Sequence, residues 1–198
     1  MKDMQAQLEN QPQVKQHVSE STQKATAQFF TLNEELTRIL IDQQLINAGW
    51  DADTQEMTYK KGARPEKAKN KAIAEWPTKA QQSADYVLFA GLIPVGVVEA
   101  KRENIDVAGK IRQSERYSSG FSPLTDMLPA WQKEGRTIAW PDAKDGHFQI
   151  PFTYSCNGKP YVKQLAEKSG TWFRDLRELA NLSKPLHDFH SPQGLLDK

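Results

Sequence analysis

The sequence is poor in the features that announce several large classes of protein. Its 198 residues hold a single cysteine, Cys156, which excludes an internal disulfide framework and fits a reducing compartment. A cytoplasmic setting is therefore expected. No apolar run approaches the roughly 20 residues that span a bilayer, and "MKDMQAQLENQPQ" lacks the hydrophobic centre of a secretion signal, so no membrane association is expected. Neither sign of charge dominates: 26 Lys and Arg stand against 25 Asp and Glu. Any contact with a polyanion must then use a local patch. Hydrophobic residues make up only 38% of the chain and mean hydropathy is −0.70, the balance of a modest core with polar flanks. A G-x4-G-K-[ST] phosphate loop is also missing, which leaves ATP-driven motor chemistry outside these residues.

What is present begins at Phe29. Residues 1–27 are rich in Gln, Glu, Lys, Ser and Thr and read as a flexible polar segment. In "FFTLNEELTRILIDQQLINAGW" the spacing of Leu32, Leu36, Ile39, Leu40 and Leu45 or Ile46 predicts a helix, with Asn33 as its N-cap and Gly49 as its stop. Residues 60–80 carry seven Lys or Arg against two Glu. They read as a basic loop with a short strand near Ala72 to Trp76, suited to a phosphate backbone or simply solvated. Beyond the central hairpin, a helix is expected over about Val107 to Tyr117. Residues 122–146 look irregular, with one short helix near Ala130. "HFQIPFTYSC" reads as a strand and "TWFRDLRELANL" as a helix, while the tail "SKPLHDFHSPQGLLDK" completes no element. The order helix, strand, strand, strand, helix, strand, helix predicts an α/β or α+β domain on one mixed sheet.

The chemistry concentrates in "ADYVLFAGLIPVGVVEAKREN", residues 84–104. Tyr86 to Ala90 and Val95 to Ala100 form a hairpin about Gly91 and Pro94, yet an acid at 85, an acid at 99 and Lys101 interrupt its apolar runs. Alternation puts Val95, Val97, Glu99 and Lys101 on one face, and antiparallel pairing brings Asp85 near Glu99. Two carboxylates suit a hard cation such as Mg2+, and a neighbouring lysine can orient a water or stabilise charge on a phosphodiester. An E-x-K pair at a strand end also fits a solvated surface ion pair. A central Val-rich strand favours the metal reading, because unpaired charge there is costly. Gln113 and Tyr117, at i and i+4 in "IRQSERYSSG", share a helix face.

Other candidates are weaker. His187 and His190 have an H-x-x-H spacing, but Pro192 and Gly194 follow at once and no third ligand is evident. Cys156 lacks a paired base and reads as a packed thiol.

Taken together, "ADYVLF", "VVEAKRENIDV" and Gln113-x-x-x-Tyr117 resemble the PD-(D/E)XK nuclease core of the restriction (R) subunit of type I restriction-modification enzymes. "NEELTRILIDQQLINAGW", "KGARPE" and "NKAIAEWPT" resemble the segments preceding that core, and "KSGTWFRDLRELAN" and "HSPQGLL" its connection into a helicase motor. The resemblance covers residues 30–198. It implies a restriction-endonuclease-like α/β fold with a mixed central sheet flanked by helices. The implied organisation is an endonuclease-like domain over 28–182, followed by a linker over 183–198 toward an absent motor.

The resemblance also implies roles. Asp85 and Glu99 match the metal-binding acids, with the Ala100 carbonyl as a further ligand. Lys101 matches the catalytic lysine, and Gln113 and Tyr117 match the supporting motif. Glu34 is the matching acid from the first helix, with Glu35 one residue away and an alternative pairing of Glu34 with Arg38. Ala84 stands where the motif's proline would be. The implied cofactor is Mg2+, with Mn2+ as a substitute, and ATP acts only through the motor. The implied partners are double-stranded DNA, the methylation and specificity subunits, and the motor of the same subunit. Two other readings stay open: a non-catalytic domain docking a motor onto the methyltransferase core, and a nuclease of a repair pathway.

Overall fold

The computed structural model describes residues 34–101, 106–125, 127, 132–133, 136–137, 148–164, 169–178 and 180–198. The polar segment 1–27, Asn33 and the helix expected near Ala130 lie outside them. The chain divides into two compact units, Met1–Leu36 and Thr37–Lys198, and the architecture below is that of the second.

Helix α1 spans residues 34–47. Gly49, at φ +97°, takes the left-handed conformation that ends it. The helical spacing is as expected, but the buried stripe is Thr37, Ile41 and Leu45, while Ile39, Leu40 and Ile46 are exposed. Apolar residues cover more than one side of this helix, so spacing alone did not choose between stripes.

Seven strands form one mixed sheet: β1 (Asp51–Ala52), β2 (Asn70–Thr78), β3 (Gln82–Ala90), β4 (Ile93–Ala100), then β7 (Phe152–Cys156), β8 (Thr171–Asp175) and β9 (Lys184–Leu186), in that spatial order. Residues 132–133 and 136–137 pair separately as β5 and β6. The pairs β2–β3, β3–β4, β7–β8 and β8–β9 are antiparallel, whereas β1–β2 and β4–β7 are parallel. Joining β4 to its parallel neighbour β7 needs a crossover. That crossover carries α2 (Ile111–Ser119), entered through a short 3-10 turn at Ala108–Lys110.

Each face of the sheet has its own core. On one, Ile41 and Leu45 of α1 pack with Tyr86, Leu88, Val98, Tyr154, Cys156 and Phe173. On the other, Ile73, Trp76, Val87, Phe89 and Val97 pack with Tyr117 of α2 and with Phe121. Trp76 contacts Phe89 and Phe121 with ring centroids 4.8 and 5.9 Å apart, the aromatic centre of this second core.

The hairpin turns at Gly91, whose φ of +62° suits glycine. A register shift between Leu88 and Phe89 bulges β4. Val95 therefore joins the Val98 core rather than that of Val97, contrary to simple alternation. The helix expected at "TWFRDLRELANL" is instead strand β8 followed by a turn. Trp172 and Phe173 are held there by pairing with Ser155 and Tyr154, so the sheet overrides the helical spacing of the leucines. The expected short strand in the basic segment is nine residues long, β2. The tail also folds: α3 (Pro192–Leu196) is capped by the Ser191 hydroxyl, and Phe189 and Leu195 enter the first core.

Candidate active site at the hairpin end

The site is built on the last rung of the β3–β4 ladder. Tyr86 pairs with Val98, and one further step of the same register sets Asp85 opposite Glu99. Glu99 in turn lies beside Ser155 in the parallel β4–β7 ladder. On the other side of Asp85, β2 pairs Ala74 with Tyr86 and Trp76 with Ala84, which leaves Glu75 alongside Asp85. A row of polar residues, Glu75, Asp85, Glu99 and Ser155, thus crosses four strands of an otherwise apolar sheet.

Asp85 is held from two sides. The Ala100 N–H donates to its Oδ2 at 2.8 Å, and Arg38 of α1 donates from Nη2 to its Oδ1 at 3.0 Å. Glu99 is only 2% exposed. One of its oxygens accepts from the Lys101 ammonium. The other, Oε2, is buried with no hydrogen-bond partner among the described residues, as is the Ser155 hydroxyl. Lys101 Nζ also donates to Gln113 Oε1 at 3.1 Å, and Gln113 Nε2 donates to the Tyr117 hydroxyl at 2.8 Å. The spacing of Gln113 and Tyr117 therefore has a geometric purpose: α2 presents both to the lysine in one chain of contacts.

Burial and the neighbouring Asp85 carboxylate push Glu99 up to about 7. Burial also raises Asp85, opposed by the Arg38 charge. Two carboxyl groups this close to one another resist double ionisation and favour sharing a proton. Tyr117 is raised by burial and stays neutral. With both carboxyl groups ionised, the buried charge costs free energy that a shared proton or a cation would offset. Carboxylate oxygens are the donors that a hard divalent ion takes, together with waters. Among the described residues no group of three or more His, Cys, Asp or Glu could hold a metal.

The structure thus brings Asp85, Glu99, Ala100, Lys101, Gln113 and Tyr117 together. Glu34 and Glu35 lie exposed on the first turn of α1, in the unit Met1–Leu36. Sequence reading gave no site role to Glu75 and treated Arg38 only as an alternative partner for Glu34. Glu75 was detectable by the same signal that marked the hairpin: an acid inside the apolar run "AIAEW". His187 and His190 lie on no helix. His190 instead meets the Tyr154 hydroxyl through Nδ1 at 2.9 Å. Cys156 is fully buried, and burial raises its thiol, which removes it as a nucleophile. Among the described residues no helix is long and apolar enough to cross a membrane.

The model of the type I restriction enzyme EcoKI endonuclease subunit second domain matches residues 51–198. The EcoKI endonuclease subunit of Escherichia coli (strain K12) is 42% identical over 204 residues, covering 92% of this chain. The chain spans about 17% of that relative's length. No solved structure matches. The chain therefore belongs to the family of the type I restriction enzyme endonuclease subunit, with residues 51–198 matching the region described as its second domain.

Proposed function

We propose that the chain is the Mg2+-dependent endonuclease domain of a type I restriction enzyme R subunit, built on a PD-(D/E)XK core and hydrolysing DNA phosphodiester bonds within an ATP-dependent complex. The observation that carries the reading is the pair of buried carboxyl groups, Asp85 and Glu99, set against each other beside Lys101. Such a cluster is costly as structure alone and suited to a cation and a phosphate. Asp85, Glu99 and the Ala100 carbonyl would hold the ion. When bound, Mg2+ supplies Lewis-acid polarisation of the phosphate and a more acidic water.

The chain's own residues do the rest. Gln113 tethers Lys101 Nζ, so that the ammonium stays at the acids and can orient a water or stabilise charge on the scissile phosphate. Tyr117, kept neutral, fixes the Gln113 amide by accepting its N–H. The loop before β2 is exposed and basic and could meet a phosphate backbone by exchanging its present partners: Lys61 pairs with Glu56, Lys60 lies 3.7 Å from Glu75, Arg64 donates to the Tyr59 and Ala63 carbonyls, and Lys69 and Lys71 pair with Glu66. The proposed partners are double-stranded DNA, the methylation and specificity subunits, and a motor that uses ATP.

The test is cleavage of supercoiled plasmid with Mg2+ by the assembled enzyme, comparing Lys101→Ala and Glu99→Ala with wild type while ATP hydrolysis is followed. Lost cleavage with intact ATPase is the expected result. Cleavage that survives both substitutions would leave a docking role as the better account.

A further inference from the structure

Arg38 and Glu75 take no part in the chemistry above, yet both are built into the same row. Glu75 has φ +53°, a left-handed conformation that non-glycine residues adopt at a cost of about 1–3 kcal/mol and that collects at functional sites. The consequence is visible in the cores. Ile73 and Trp76 share one face of the sheet although three positions apart, as do Ala84 and Val87 on the partner strand. Both strands therefore change face at the rung occupied by Glu75 and Asp85, instead of continuing the regular alternation of a ladder.

One guanidinium spans that rung. Arg38 Nη2 lies 3.0 Å from Asp85 Oδ1, and its Nη1 lies 3.8 Å from Glu75 Oε1. The side chain of Arg38 is 21% exposed, shielded enough for its charge to act more strongly than on an open surface. The only other cation on Glu75 among the described residues is Lys60, at 3.7 Å from Oε2 and 81% exposed, a weak competitor.

We propose that Arg38 is a placeholder cation and Glu75 its catch: the arginine neutralises Asp85 until a divalent cation takes that carboxylate, and Glu75 then receives the displaced guanidinium. This rests on reading Asp85 and Glu99 as metal ligands. The unequal distances give the direction of the step, since Asp85 Oδ1 is already engaged and Glu75 is the nearest second acceptor. A guanidinium and a divalent ion at one carboxylate oxygen repel each other, so the ion's affinity includes the cost of moving Arg38. Glu75 lowers that cost by keeping the arginine paired after it moves. Glu75 is thereby a positioning residue for the site and not a ligand.

The test is a calorimetric titration of Mn2+ into the 198-residue chain at pH 8, for wild type, R38Q, E75Q and the double variant, with far-UV circular dichroism as the check of folding. Removing the placeholder in R38Q is expected to tighten binding by about tenfold, and removing the catch in E75Q to weaken it by about three- to tenfold. The double variant is expected to match R38Q, because the catch has nothing left to receive. If R38Q loses its fold, R38K, which keeps the charge but not the two-pronged reach, takes its place and is also expected to bind more tightly than wild type. Equal weakening by E75Q in both backgrounds would make Glu75 a direct ligand and overturn the proposal. Unchanged or weaker binding in the arginine variants would overturn it from the other side. A wild type that binds no Mn2+ would instead remove the underlying metal reading, and the placeholder with it.

Discussion

Two of the places where ionisable groups are buried against the sheet are resolved in opposite ways. At the tail, His190 lies against Phe173 at a centroid distance of 4.6 Å and meets the Tyr154 hydroxyl. Burial and two nearby lysines push it down to about 4, so a neutral imidazole faces a neutral phenol and the pair is complete. At the hairpin end, two carboxylates face each other, Glu99 is pushed up to about 7, and one oxygen has no partner among the described residues. Burial is common to both regions. Charge is the difference: a neutral buried pair fixes structure, whereas two facing carboxyl groups that resist double ionisation make a candidate for binding a cation.

Catalysis should separate the regions most strongly. Lys101→Ala is expected to reduce plasmid cleavage by the assembled enzyme by about 10²–10³-fold, the scale of removing one donor aimed at developing charge. His190→Phe is expected to leave the cleavage rate unchanged. A comparable loss in both variants would dissolve the contrast.

Stability against pH should separate them next, with opposite signs. Glu99 has a folded pKa raised above its unfolded value, so the folded state holds the proton more tightly. Its contribution is fully present below about 4.5 and is lost as pH rises toward 7, on the order of 2–3 kcal/mol. His190 has a folded pKa lowered below 6.5, so its contribution is present above that pH and is lost as pH falls toward 4. Between these limits the two slopes oppose each other. Denaturant midpoints for Glu99→Gln should rise with pH in this window and those for His190→Phe should fall. The same slope in both variants would show that these groups do not set the pH dependence.

The smallest effect expected is at the complete pair. Tyr154→Phe removes one neutral hydrogen bond and should cost about 1 kcal/mol in chemical denaturation, with Mn2+ affinity unchanged. A change in Mn2+ affinity would couple the tail to the hairpin and blur the distinction between them.

How much of this was legible before the fold was known follows the range of the interactions. The hairpin, α1 and the Gln113–Tyr117 pair are local, and alternation or i, i+4 spacing reaches them directly. Asp85 and Glu99 were joined across a turn, which is still local. Strand β8 was not legible, because "TWFRDLRELANL" has the composition of a helix and only the neighbours Ser155 and Tyr154 make it a strand. Arg38 was missed for the same reason, since its role depends on the packing of α1 against a strand 47 residues away, whereas Glu75 carried the local signal of an acid in an apolar run and only its backbone inversion was hidden. The buried stripe of α1, Thr37, Ile41 and Leu45, was likewise a choice made by the sheet and not by the helix.

The most direct test of the account is whether the hairpin end holds a divalent cation. Mn2+ is titrated into wild type and Glu99→Gln by calorimetry at pH 6 and pH 8, in two buffers of different ionisation enthalpy. The account predicts one site in wild type, tighter at pH 8 and releasing more protons at pH 6, where Glu99 is largely protonated, with the site lost in Glu99→Gln. No binding to wild type, or equal affinity in the variant, would contradict it.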